Sequence, residues 1–94
     1  MEELEYEYKA KELKDAMVRL LENKDFKKIF TDEFMHDSLV QLGYNFGSQA
    51  NMRNNIAEQI TARTYVKQFI DGIIVDGFQA EQIIEDTTAE MKGE

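Results

Sequence analysis

VKQFIDGIIVDGFQAEQIIEDT, residues 66–87, is the stretch on which the fold turns. Asp-Gly occurs twice in it among β-branched residues, at 71–72 and 76–77, which is a hairpin signal. Read as a helix, the same stretch continues a longer pattern. Met52, Ile56, Ile60, Arg63, Val66, Ile70, Ile73 and Ile74 recur at spacings of three and four, and Tyr65 and Phe69 widen the stripe. Gly72 and Gly77 each cost a helix up to about 1 kcal/mol relative to Ala. Either the helix tolerates them or it breaks near Asp76-Gly77. Ala80, Ile83, Ile84 and Thr87 keep the three/four spacing beyond Gly77, so helix is the better reading. From Glu90 the tail is expected to fray unless a partner holds it.

Working backwards, Gly43 to Ser48 (GYNFGS) reads as the clearest loop, with Ser48 or Asn51 capping the last helix. Before it, Thr31 with Asp32 and Glu33 has the form of an N-cap, and Phe34, Met35, Ser38, Leu39 and Leu42 define a helix that Gly43 can stop. Phe26, Ile29 and Phe30 make a shorter apolar face. The first helix is expected over about Glu2 to Asn23. Tyr6, Ala10, Leu13, Met17, Leu20 and Leu21 form its apolar stripe, and Glu5, Lys9, Glu12 and Arg19 lie opposite. Acids at Glu2, Glu3 and Glu5 suit the helix dipole. Asn23 can end this helix, and Asp25 can cap the next.

The expectation is an all-α chain of three to four helices with a long C-terminal helix, arranged as a helical hairpin or bundle. Residues 1–94 suit a single small domain, with 1–12 and 88–94 frayed or ordered by a partner. Leu13, Met17, Leu20, Phe30 and Leu39 are the candidate core.

Composition narrows the function. Nineteen acids against eleven Lys and Arg give a net charge of −8. That balance opposes direct binding to nucleic acid, which depends on neutralising phosphates, and opposes a polybasic membrane anchor. The charge is uneven: residues 1–37 carry −4, 38–75 carry +1 and 76–94 carry −5. No Pro and five scattered Gly favour uninterrupted helices. The absence of Cys removes disulfides, thiolate ligands and a cysteine nucleophile. The longest apolar run, Ile73-Ile74-Val75, is far too short for a membrane span, and the Glu-rich start is unlike a signal peptide.

No set of residues converges on catalysis. His36 is the single histidine. It has acids at Asp32, Glu33 and Asp37 but no nucleophile or metal partner at a defined spacing, so a solvated or interface histidine is the plainer reading. The acidic clusters Glu2/Glu3/Glu5/Glu7, Asp32/Glu33 and Glu85/Asp86 lack a Gly-centred cation loop and read as solvated faces. Gly43 to Ser48 lacks the Gly-Lys-Ser/Thr ending of a phosphate loop, and a connector docking two aromatic rings is the simpler account. Lys24, Lys27 and Lys28 around Phe26 form the one basic knot, which is weak as a nucleic-acid signal in so acidic a chain. No catalytic, cofactor or metal residues are expected.

The ten Phe and Tyr, five Met and eight Ile exceed what a chain this short hides easily. The last helix is apolar on more than one face, as a helix covered by a neighbour would be. Tyr65, Phe69, Ile70, Ile73, Ile74 and Phe78 are the candidate interface.

The order of residues also suggests a family. Leu20-Leu21-Glu22-Asn23-Lys24-Asp25-Phe26-Lys27-Lys28-Ile29 resembles the start of small α-helical structural or assembly-associated proteins of tailed bacteriophages. The stretch Phe34 to Leu42 is similar to their aromatic and acidic segment. Ile60 to Phe69, Gly77 and Ala80-Glu81 are similar to their closing helix. The resemblance spans about residues 13–86 and has no catalytic motif to carry across. It implies a virion or assembly protein in or beside the capsid–portal–tail machinery. Such a chain would reside in the virion or the host cytoplasm, oligomeric or bound to a larger phage structural protein. The alternative is a small acidic regulator made by a phage to inhibit a host nucleic-acid enzyme, its charge mimicking DNA or blocking a basic cleft.

Overall fold

The computed structural model describes residues 4–93. Among them only Asn23 and Gln49 lie outside helical elements, and no residue has positive φ. Helix α1 spans Glu5–Glu22. A short turn, α2 (Lys24–Phe26), runs without a break into a π-helical stretch, Lys27–Asp37, and then into α3 (Ser38–Ser48). A 3₁₀ turn, Ala50–Met52, leads into α4 (Arg53–Gly93). The all-helical class and the long last helix are therefore as expected, and both Asp-Gly pairs lie inside α4.

The punctuation differs from the expectation. Gly43 to Ser48 is not a loop but the second half of α3. Two glycines cost a helix about 1 kcal/mol each, too little to end it when no left-handed residue reverses the chain. The break comes at Gln49, whose φ −124°, ψ 81° leaves helical space. Ser48 does not cap the 3₁₀ turn or α4; its hydroxyl donates back to the Tyr44 carbonyl at 3.2 Å. Asn51 sits within the 3₁₀ turn rather than capping from outside it. Thr31 starts nothing either, since it lies in mid-course of the π-helical stretch. At the earlier break Asn23, not Asp25, is the cap: its side-chain oxygen accepts from the Asp25 and Phe26 N–H groups at 3.1 and 3.0 Å. Glu2 and Glu3, expected in the first helical turn, lie outside the described residues, as does Glu94.

The chain forms two compact units, one from the segments up to Leu20 and from Ile70 onward, the other from Leu21–Phe69. In the first, small residues set the contact between α1 and the later part of α4. Ala10 and Ala80 are buried, and a Cβ built on Gly77 would run into the Lys14 side chain, with Cγ at 2.5 Å, and the Ala10 carbonyl at 3.2 Å. Glycine at 77 thus lets α4 lie against the α1 backbone. The close approach turns Ala10 and Lys14 inward, leaving Leu13 at 48% and Leu20 at 44% exposure, so neither is core. Met17 is half-buried.

In the second unit Ile56 is buried, while Phe30 and Leu39 are half-buried. Arg53 fastens α4 to the end of α3: its Nε donates to the Phe46 carbonyl at 2.9 Å, and its guanidinium lies 5.4 Å from the Phe46 ring centre.

Candidate protein-protein interface

Phenylalanines at positions 26, 30 and 34 repeat every four residues and stack along the π-helical stretch. Ring centres are 4.8 Å apart for Phe26–Phe30 and 5.7 Å for Phe30–Phe34, with planes inclined by 23° and 24°. Offset stacking of this kind adds about 0.5–1.5 kcal/mol per pair to what burial supplies. Together with Asp25, Ile29 and Val66 of α4 the three rings line an open groove of about 670 Å³. Ile29, one of the lining residues, is 69% exposed.

Arg63 holds the far end of this ladder. Its Nε donates to the Phe34 carbonyl at 3.1 Å, Nη1 to the Gln59 carbonyl at 3.1 Å and Nη2 to Ser38 Oγ at 3.0 Å. The guanidinium also lies 4.2 Å from the centre of the Phe34 ring. The side chain is buried, at 8% exposure. Five donors in a fixed plane let one buried cation satisfy three oxygens and a ring face. The local hydrogen bonding has slipped to the π pattern, with the Ser38 N–H donating to the Glu33 carbonyl. Such turns gather at functional positions in helices.

The residues expected to form an interface are distributed over both units. Tyr65 (67% exposed) and Phe69 (58%) belong to the second. Tyr65 borders a shallow hollow with Ala57, Glu58, Thr61 and Ala62. Ile70, Ile73, Ile74 and Phe78 belong to the first unit, the three isoleucines half-buried. Ile73 lines a cavity of about 210 Å³ with Tyr6, Lys9, Ala10, Leu13 and Asp76. Phe78 is 57% exposed and lies beneath Lys14 Nζ, 4.7 Å from its ring centre. Sequence reasoning misses Phe26, Ile29, Phe30, Phe34 and Val66 as one surface. The every-fourth-residue phenylalanines are the available signal, obscured by starting a helix at Thr31.

Among the described residues of the first unit, Lys14 is the buried charge. Its ammonium donates to Glu81 and pairs with Asp15 at 2.9 Å, and the hydrogen bonds it gives to these two carboxylates raise its pKa. Asp15 is lowered, first by Lys11 at 2.9 Å and then by Lys14. His36 bonds Asp37 at 2.8 Å with both side chains exposed. Among the described residues no group of three His, Cys, Asp or Glu could hold a metal ion, and no helix is long and apolar enough to cross a membrane.

Charge is divided in the same way. Leu21–Phe69 contains six acids and six bases, so the whole net charge of −8 belongs to the other unit. No family model, curated protein or solved structure matches the chain.

Proposed function

We propose that the chain is a non-enzymatic subunit that packs helix faces against itself or against a larger capsid, portal or tail protein of a tailed bacteriophage, in the virion or during its assembly in the host cytoplasm. The observation that carries the interaction role is the apolar surface left uncovered: Ile29, Tyr65, Phe69 and Phe78 are each more than half exposed. An aromatic ring in that state offers about 100 Å² to a neighbour. Covering it is worth about 2.5 kcal/mol, which would make a few such side chains sufficient anchors. A helical hairpin or bundle completed by such a neighbour is the arrangement this reading implies. The phage assignment is supported by the sequence resemblance over about residues 13–86.

Quantitative mass spectrometry of purified particles of the phage encoding the chain tests the reading. A fixed ratio to the portal or coat protein is the expected result. Absence from mature particles and from their assembly intermediates would refute it. A second reading, an acidic inhibitor of a host nucleic-acid enzyme, is favoured by the concentration of all net charge in one unit. Salt separates the two: a charge-mimic complex weakens steeply as salt rises, whereas an apolar interface holds.

A further inference from the structure

We infer that two copies of this chain exchange α4. In the exchanged pair the break at Gln49 straightens, α3 and α4 run on as one helix from Ser38, and each α4 packs on the α1, α2 and α3 of the other copy. The inference rests on the hinge and stands apart from the phage assignment.

The turn between α3 and α4, Gln49-Ala50-Asn51-Met52, is made without Gly, Pro or positive φ. Gln49 alone leaves helical space there, at φ −124° and ψ 81°, and Arg53 beyond it is helical at φ −57° and ψ −41°. Gln, Ala and Met are good helix formers, so local preference favours a straight helix over the bend. The pattern of side chains agrees. Leu39, Leu42, Phe46, Gln49, Arg53, Ile56, Ile60 and Arg63 follow at alternating spacings of three and four, in unbroken phase across the turn. That is the repeat of a continuous coiled-coil helix, whereas a turn leaves the phases of the helices it joins independent. Of this seam Ile56 and Arg63 are buried, and Leu39, Leu42 and Ile60 are half-buried.

The contacts across the turn are centred on it: Phe46 meets Arg53, and Ser38 meets Arg63. With the helix straight, a two-fold axis at the break lets a second copy supply the same pairs, Arg63 on Phe34 included. Gln49 then faces its own counterpart on the axis, a polar residue at a core position of the kind that fixes register. One bond belongs to the closed turn alone. Arg53 Nε donates to the Phe46 carbonyl at 2.9 Å, and a straight helix gives that carbonyl to the Ala50 N–H instead. The two forms otherwise share their packing, so concentration decides between them.

Sedimentation equilibrium of the full chain, refolded from urea and loaded over an about hundredfold concentration range, tests the proposal. The native chain is expected to dimerise. Gln49→Gly alters an exposed residue and penalises the straight helix twice per dimer, so it is expected to weaken the dimer about tenfold while keeping the helical circular dichroism. A dimer of one isotope-labelled and one unlabelled copy separates exchange from a pairing of surfaces. The nuclear Overhauser contacts of Arg63 with Phe34 and Ser38 are expected between the copies. Finding them within each copy would overturn the proposal, as would a native chain that stays monomeric or a Gln49→Gly dimer as tight as the native one. A monomer present in particles at fixed stoichiometry would sink this inference while leaving the subunit reading standing.

Discussion

Gly77→Ala and Gly72→Ala are the same chemical change in the same helix, and the structure gives them opposite signs. Replacing Gly by Ala in a helix interior stabilises by about 1 kcal/mol when the new methyl group meets nothing. Position 72 satisfies that condition, with no heavy atom within 4 Å of an added Cβ. At 77 the methyl group meets the Cβ and Cγ of Lys14 and the Ala10 carbonyl. Lys14 Cβ and the Ala10 carbonyl are fixed by the α1 backbone, so a rotamer change can move only Cγ and the helices must separate. Overpacking of this kind costs about 1–3 kcal/mol, with the upper end expected where backbone is involved. Subtracting the helix gain leaves Gly77→Ala destabilised by about 1–2 kcal/mol. The two variants should thus differ by about 2–3 kcal/mol, or on the order of 10–20 °C in Tm for a chain of this size. Urea and thermal unfolding monitored by circular dichroism measure both. Equal stabilisation by the two substitutions would refute the claim that glycine at 77 sets the α1–α4 contact.

Arg63→Ala removes three hydrogen bonds and a ring contact and leaves the Phe34 carbonyl short of a partner. A loss of about 2–4 kcal/mol in urea unfolding is expected, and a change under about 0.5 kcal/mol would mean that the guanidinium holds nothing. Asn23→Ala should cost about 1 kcal/mol by the same assay, and Asp25→Ala less, since Asn23 supplies the cap oxygen. The Lys11–Asp15–Lys14–Glu81 cluster fixes the direction of the pH dependence. Asp15 is held below its usual 3.8, so its contribution is present above that value and disappears as pH falls through the lowered pKa. Lys14 is held above its usual 10.5, so its contribution is complete below that value and is lost only at still higher pH. A Lys14→Met variant should flatten the alkaline limb of the pH–stability curve measured by thermal unfolding and the acid limb only in part, because Lys11 still holds Asp15; an unchanged alkaline limb would mean that the Lys14 contacts contribute nothing to stability.

Periodicity is the legible part of this sequence. The three/four spacing from Met52 to Thr87 survives two glycines because its many apolar positions outweigh two propensity costs of about 1 kcal/mol each. Hydrogen-bond register is not written in the same pattern. Nothing in Lys27 to Asp37 distinguishes a π turn from an α turn, so a Thr that resembles a cap divides the phenylalanine ladder. The apolar stripe of α1 misleads for a different reason. Hydrophobicity assigns Tyr6 and Leu13 inward, but the contact is decided by which residues are small enough for two backbones to approach, namely Ala10, Gly77 and Ala80. Lys14 is carried inward with them and finds its acids at Asp15 and at Glu81 of α4, a pairing that a separation of 67 positions conceals. The groove residues can be read individually, but not their convergence with Val66, which depends on α4 meeting the π-helical stretch.

The break at Gln49 has a consequence for cutting the chain. It is one of the two non-helical residues among those described, and helical termini and connectors of this kind are where proteases and circular permutations act. A nick there leaves α1 to α3 on one fragment and α4 on the other. Each compact unit draws on both pieces, α1 with the later part of α4, and α2 and α3 with its beginning. Neither fragment alone therefore holds a complete unit, and the two halves are expected to recover native structure only on mixing, as a split protein whose reassembly reports proximity.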